Sequence, residues 1–249
     1  MIYQGKQKIW SDYQKEIPDD KWYYVRSCIR QNFFPASERM FLEICRNVLG
    51  KDIHENEHHT TCGGIAYHCD TIPQETVMTI VARQFALMTE AGYENYACSC
   101  ITSFGNYTEI LETWHEYPEL EARIRELLWK SCRKEFNKPK YLAHTSDLIY
   151  KFRNEIASKA KFHLVNMETG EPLRVVEHIG CHCCGYGFRQ YHVKANRGYS
   201  ISNTHKKFES MEPYKPDMII TNCPGCPYFL DRWQYVIAEM EGKTYGQNG

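Results

Sequence analysis

The sequence predicts an α/β protein of two tandem, similar halves with parallel-type sheets. Three observations predict it. Short aromatic or β-branched runs alternate with amphipathic helical stretches along the 249 residues. Cysteines follow directly after those runs, at what would be strand ends. The order strand then Cys, Cys-Gly turn, helix, strand then paired Cys, helix occurs in residues 21–138 and again in 139–249. Ligands of parallel sheets gather beyond the carboxyl ends of the strands. The cysteines therefore stand where a ligand is expected.

Residues 1–20 are polar and charged and read as an N-terminal arm. Trp22–Arg26 is aromatic and β-branched, so it reads as a strand running into Ser27-Cys28. Pro35 opens a helix that Gly50 stops, with Phe41, Ile44, Cys45 and Val48 on one face. The segment 51–64 is polar and ends in Thr61-Cys62-Gly63-Gly64. Pro73 starts another helix, ended by Gly92, with Val77, Ile80, Val81, Phe85 and Met88 inward. Tyr96–Cys100 reads as a short strand ending in thiols, and 118–136 as a long helix striped by Leu120, Ile124, Leu128 and Cys132. Pro139 marks the boundary between the halves.

In the second half a helix is expected near 145–158. Leu173–Ile179 reads as a strand delivering Cys181, and 186–203 as a loop. A short helix at 203–211 precedes a strand, Asp217–Thr221, that delivers Cys223. The last helix, 227–241, carries Phe229, Leu230, Trp233, Ile237 and Met240 on one side and ends at Gly242.

The chain is long enough to bury a proper core. A net charge of -1 offers no global field for nucleic acid or a membrane surface. Residues 1–20 contain no apolar core of signal-peptide length. The longest mostly apolar stretch, Thr76–Met88, is interrupted by Thr79, Arg83 and Gln84, so no bilayer span is expected. The expected setting is soluble and cytoplasmic. In a reducing compartment twelve clustered cysteines read as metal, iron–sulfur or redox-active thiols rather than disulfides.

The densest group is Cys181, Cys183 and Cys184, joined by Cys223 and Cys226 of a Cys-Pro-Gly-Cys turn. The four residues 181–184 span at most ~11 Å, at roughly 3.3–3.6 Å each, so their thiols can reach one centre. Thiolates are soft ligands that select iron–sulfur clusters, zinc or copper. Zinc takes four tetrahedral ligands, which five thiols overshoot. Redox dithiols are the third reading.

Other residues carry two readings each. His182 and His178 flank the thiols; His182 is a hydrogen-bond donor to sulfur or a proton source, or else a sheet-end histidine. From His178 to Phe208 there is no Asp or Glu. Arg189, Lys194 and Arg197, with Lys206 and Lys207, either balance thiolates and receive an anionic substrate or form a solvated basic loop. Cys45 and Cys132 lie on apolar faces and read as core. Cys69 is a spare ligand or buried filler. His54–His58 spells His-Glu-x-x-His, but it falls in a polar segment without an apolar stripe, so a solvated loop is the better reading than a zinc site. Tyr186, Phe188, Tyr191 and Tyr199 alternate with basic residues, as on single-strand nucleic-acid surfaces, but the neutral overall charge argues against nucleic acid.

The tandem order Cys … Cys-Cys-Gly … Cys-x-x-Cys resembles the CCG domains of the heterodisulfide reductase B-type proteins. The resemblance covers most of residues 22–240 and is strongest in VVEHIGCH, CCGYG and DMIITNCPGCPYFLD. In that family each full motif gives five cysteines to a non-cubane iron–sulfur cluster, and paired clusters cleave a disulfide. The resemblance implies a non-cubane [4Fe–4S] cluster on Cys181, Cys183, Cys184, Cys223 and Cys226. Only His182 stands where the family has a few tens of residues. In the first half Thr61-Cys62-Gly63 replaces Cys-Cys-Gly, and Cys98-Ser99-Cys100 replaces Cys-x-x-Cys. Carried over, the motif leaves Cys28, Cys62, Cys98 and Cys100 in the first half, a number that suits an ordinary [4Fe–4S] cubane, with an altered non-cubane cluster as the other implied form.

The implied function is that of the iron–sulfur subunit of a heterodisulfide reductase-like complex, an oxidoreductase acting on thiol and disulfide sulfur. Implied partners are iron–sulfur C-type and flavin A-type subunits. The substrate would be a disulfide, a thiol or a lipoyl-type sulfur, the last in a sulfur-oxidising relative of the complex. A pure electron-transfer or scaffold subunit and a zinc-stabilised interaction module are the alternatives.

Overall fold

In the computed structural model the described residues are 17–68, 71–159, 168–171, 197–215, 219 and 225–242. The chain divides into two compact units, residues 1–159 and 160–249.

The first unit is organised on four parallel strands in the order β2-β1-β3-β4. β1 is Trp22–Val25, β2 Ile53–Glu55, β3 Asn95–Cys98 and β4 Tyr141–His144. Parallel neighbours need crossovers, and helices supply them. Between β1 and β2 run α1 (Cys28–Phe33) and α2 (Pro35–Glu43), the latter extended by a π turn over Ile44–Val48. Between β2 and β3 come α3 (Gly64–His68) and α4 (Gln74–Glu90). Between β3 and β4 come α5 (Ile101–Glu116) and α6 (Pro118–Cys132). After β4 the chain continues as α7 (Thr145–Lys151) and α8 (Arg153–Lys159).

Strand alternation builds two cores, one on each face of the sheet. Tyr23, Val25, Tyr96 and Cys98 face α4, α5 and α6, packing with Phe85, Tyr107, Ile110, Trp114, Ile124 and Leu128. Trp22, Tyr24 and Ala97 face the other way, against Phe41, Leu42, Cys45, Leu148 and Phe152. Helices on both faces and the strand order make this a doubly wound sheet. The order reverses between β1 and β3, which is the point where such sheets bind ligands.

The expected strands at 22–26 and 96–100 and the helices opened by Pro35 and Pro73 are present. Several elements differ from expectation. The polar segment 51–64 contains β2, a three-residue edge strand in which only Ile53 is buried. The helix expected over 118–136 stops at Cys132, because Arg133 takes a left-handed conformation with φ 57. The helix expected near 145–158 is two pieces, α7 and α8. α5 is an unexpected element, although Phe104, Tyr107, Leu111 and Trp114 keep a helical period. The compact first unit also runs past Pro139: Lys140 N–H donates to Glu94 O at 2.8 Å, and the following strand β4 pairs with β3. The end of the arm is tied down, with Ile17 buried and the Trp22 indole N–H donating to Pro18 O.

In the second unit α9 spans Arg197–Met211 and α10 spans Gly225–Glu241, with a 3₁₀ turn at Glu212–Tyr214. Residues 197–203, expected as loop, are the start of α9. Thr204, Phe208, Leu230, Trp233 and Ile237 are buried, and His205 of α9 reaches Glu241 of α10. The strands expected at 173–179 and 217–221 lie outside the described residues, Ile219 excepted.

Candidate functional site

Two thiol-bearing turns leave the sheet side by side at the switch point. Val25 of β1 pairs in register with Cys98 of β3, so Ser27-Cys28 and Ser99-Cys100 emerge as neighbours from the carboxyl ends of adjacent strands. Cys28 opens α1 and is exposed. Cys100 is buried and stands at the N-cap of α5.

Cys62 joins them from the turn before α3. Its carbonyl accepts the Asn106 amide at 2.7 Å, which anchors the turn to α5. Its Sγ accepts the Gly64 N–H at 3.3 Å. Burial pushes its thiol up to about 11, opposed by a hydrogen bond from Ser103; negative charge on Cys100 and Cys28 would push it further. The two glycines after Cys62 are both required. Gly63 has φ +67, and a Cβ there would meet Val77 Cγ1 at 2.7 Å. A Cβ on Gly64 would meet Thr102 Cγ2 at 2.7 Å and Cys62 Sγ at 3.3 Å. The Cys-Gly turn is thus a close approach of backbone to α4, α5 and its own sulfur.

Cys98 is within electrostatic reach of Cys100 and Cys62 but is fully enclosed. Its thiol faces Ala143 O at 3.8 Å, and burial holds it protonated well above the ordinary range. The structure therefore brings Cys28, Cys62, Cys98 and Cys100 to one strand edge, with Cys98 turned into the core.

Beneath the turns lies a buried polar group that sequence patterning does not single out. One oxygen of Glu38, on α2, accepts the Ser27 N–H at 2.7 Å, the Ser99 hydroxyl at 2.8 Å and the Tyr24 hydroxyl at 2.9 Å. Arg30 holds α1 to α2 through Ser37 Oγ and Ser37 O, both at 3.1 Å. His144, at the end of β4, accepts the Ser146 N–H at Nδ1, and its backbone N–H donates to Asp147. Burial lowers His144 to about 4 and raises Asp147 to about 6. Arg30 Nη1, Glu38 Oε2 and His144 Nε2 are buried without a hydrogen-bond partner. The only signal for this group in sequence is a set of polar residues within or beside apolar elements, which is too common a pattern to mark a site.

Among the described residues no three His, Cys, Asp or Glu side chains converge closely enough to hold one metal ion. One zinc would need its sulfurs at about 2.3 Å from a single point. A multi-iron cluster takes each thiolate on a different iron, so thiols gathered at one edge suit it in donor type.

The remaining candidates sort simply. Cys45 is core, its thiol raised to about 12 by burial. Cys132 packs against the same core as α6 and donates to Leu128 O. The His-Glu-x-x-His residues are not helical: His54 stacks on Tyr93, and Glu55 pairs with Arg26 and Arg46. Cys69, Cys181, His182, Cys183, Cys184, Arg189, Lys194 and Cys223 lie outside the described residues. Cys226 and Arg197 fall in the first turns of α10 and α9.

Three comparisons with known proteins bear on the chain. A family described as CCG, cysteine-rich domain, matches residues 163–231, a span that includes all five cysteines of the second group. The chain is 22% identical over 271 residues to the B-type subunit of the ferredoxin:CoB-CoM heterodisulfide reductase of Methanosarcina acetivorans, covering 93% of this chain and 85% of that one. A crystal structure of a hypothetical protein from Helicobacter pylori superposes with a TM-score of 0.56 at 11% identity. That match covers 100% of this chain, which spans 52% of the solved one, and it supports the α/β fold.

Proposed function

We propose, from its similarity over 93% of its length to a heterodisulfide reductase B-type subunit and from its cysteine-rich domain, that the chain is the iron–sulfur subunit of a heterodisulfide reductase-like complex, acting in thiol–disulfide redox chemistry and electron transfer. The observation that carries the reading is the match of the cysteine-rich domain to residues 163–231, around Cys181, Cys183, Cys184, Cys223 and Cys226. These five thiols would hold the non-cubane [4Fe–4S] cluster. Cys28, Cys62, Cys98 and Cys100 would hold a second, inequivalent [4Fe–4S] cluster at the β1/β3 edge.

Bound clusters would supply single electrons, two of which reduce a disulfide to two thiols with uptake of two protons. The chain's own residues orient and insulate. Gly63 and Gly64 let the Cys62 turn close on α4 and α5. The Gly64 N–H and the Ser103 hydroxyl offer donors that favour a thiolate at Cys62. His182 would supply a proton at the second group, and Arg189, Lys194 and Arg197 would receive an anionic substrate. Electrons would enter from a C-type iron–sulfur subunit, with a flavin A-type subunit in the same complex. The substrate would be a disulfide, a thiol or a lipoyl-type sulfur, and the setting cytoplasmic.

Iron and acid-labile sulfide in the anaerobically purified chain test the cofactor. A colourless protein with stoichiometric zinc and no sulfide would refute the reading. Substituting Ser for Cys184 or Cys226 tests the site. Disulfide turnover by the assembled complex should stop; turnover that persists after the second cluster is lost would leave the chain an electron-transfer or scaffold subunit.

A further inference from the structure

We propose that Glu38 is a positioning residue for the first thiol group, one buried carboxylate oxygen locking the Cys28 turn to the Cys98–Cys100 turn across the β1/β3 switch point. The inference rests on the proposed cluster site only for its second test.

The geometry is specific. Ser27 immediately precedes Cys28, and Ser99 lies between Cys98 and Cys100. The same Glu38 oxygen takes the Ser27 backbone N–H at 2.7 Å and the Ser99 hydroxyl at 2.8 Å. Strand pairing ends at Val25 and Cys98, so no ladder bond holds the two turns beyond that point. The Tyr24 hydroxyl on the same oxygen, at 2.9 Å, fixes it from the opposite face of β1 to Val25. The residue is 4% exposed, so bulk water screens its charge weakly. Its second oxygen is buried without a partner. A carboxylate held there acts on both turns at once, through position and through negative charge. An amide at the same place would keep the shape and lose the charge; removing the Ser99 hydroxyl would cut one arm and leave the charge.

The test uses the full chain with Glu38→Gln and Ser99→Ala, both of which preserve side-chain volume closely enough to fold. The first readout needs no metal. Alkylation of Cys28 by iodoacetamide, read by mass spectrometry on the iron-free chain, is expected to quicken at least threefold in Glu38→Gln. Ser99→Ala, which keeps the charge, should change the Cys28 rate less than twofold but raise the rate at Cys100. The second readout is the reduction potential of the chain reconstituted with iron and sulfide, its first-site signal identified by loss in Cys28→Ser. Glu38→Gln should shift that reduction equilibrium about tenfold toward the reduced form, ~59 mV for one electron. Unchanged alkylation at both cysteines in both variants, or a loaded potential that does not move, overturns the proposal. Should wild type and Cys28→Ser bind equal iron, the first cluster site fails instead, and the alkylation rates alone decide for or against Glu38.

Discussion

The Ser99 hydroxyl donates to Glu38 at 2.8 Å, so the residue between Cys98, the last of β3, and Cys100 is pinned to a helix that follows β1. Cutting to Ala would leave the Ser27 N–H, the Tyr24 hydroxyl and the Ser99 hydroxyl buried without an acceptor. Each orphaned group costs about 1–3 kcal/mol. Glu38→Ala is therefore expected to lose about 3 kcal/mol or more, and Ser99→Ala about 1 kcal/mol. Urea unfolding of the iron-free chain, followed by the fluorescence of buried Trp22 and Trp114, measures both. Equal midpoints for Glu38→Ala and wild type would show the three bonds contribute nothing net.

The Cys62 turn gives a second prediction. Gly63→Ala must place a Cβ at φ +67 and against Val77 Cγ1, and is expected to destabilise by about 2 kcal/mol. Gly64→Ala pushes on Cys62 Sγ and Thr102 instead. It should lower iron retained at the first site more than it lowers stability. Paired iron analysis and thermal unfolding of the two variants separate these effects. Equal iron loss in both would remove the special role of Gly64.

Much of this is legible in sequence because the signals are local. Pro35, Pro73 and Gly92 punctuate helices, and aromatic strands leading into Cys28 and Cys98 place the thiols at strand ends without any tertiary information. What is not legible depends on distant partners. β2 is three residues long and exists because Trp22–Tyr24 offers it a parallel edge. β4, at Tyr141–His144, falls at the expected boundary because four residues after a Pro carry no period of their own. Glu38 looks like any acidic residue in the first turn of a Pro-initiated helix; only the fold puts it beneath Ser27 and Ser99, 11 and 61 residues away. Spacing places Cys98 at the strand end, but only the pleat shows that its side chain leans toward the core shared with Val25 and Tyr96.

Cys45 and the edge thiols should part company on substitution. Cys45 is buried among Phe41, Leu42 and Ile53, so Cys45→Ala is expected to cost about 1 kcal/mol of stability and no iron. Ser at Cys28, Cys62 or Cys100 should lower iron and sulfide at the first site. Metal analysis beside thermal unfolding checks both, and iron loss in Cys45→Ala would show that packing and cluster assembly are not separable there.

The acid behaviour of the β4 end follows from two opposing titrations. His144 drops from 6.5 to about 4 on folding, so the unfolded chain binds its proton first as pH falls; stability tied to His144 is present above 6.5 and is lost toward 4. Asp147 rises from 3.8 to about 6, so the folded chain binds that proton first; stability tied to Asp147 is present below 3.8 and is lost as pH rises toward 6. Each shift is of order 3 kcal/mol, at 1.36 kcal/mol per unit. Between about 4 and 6 the two contributions nearly cancel, and only His144 acts between 6 and 6.5. Asp147→Asn removes the compensation and should make the iron-free chain lose about 3 kcal/mol between pH 6.5 and 4 relative to wild type. His144→Asn, which keeps a cap for α7, should do the reverse and gain stability over the same range. Urea midpoints at pH 4.5, 5.5 and 6.5 read both slopes. Parallel profiles for the two variants would mean that neither group changes protonation on folding, and that the buried end of β4 is opened to water in solution.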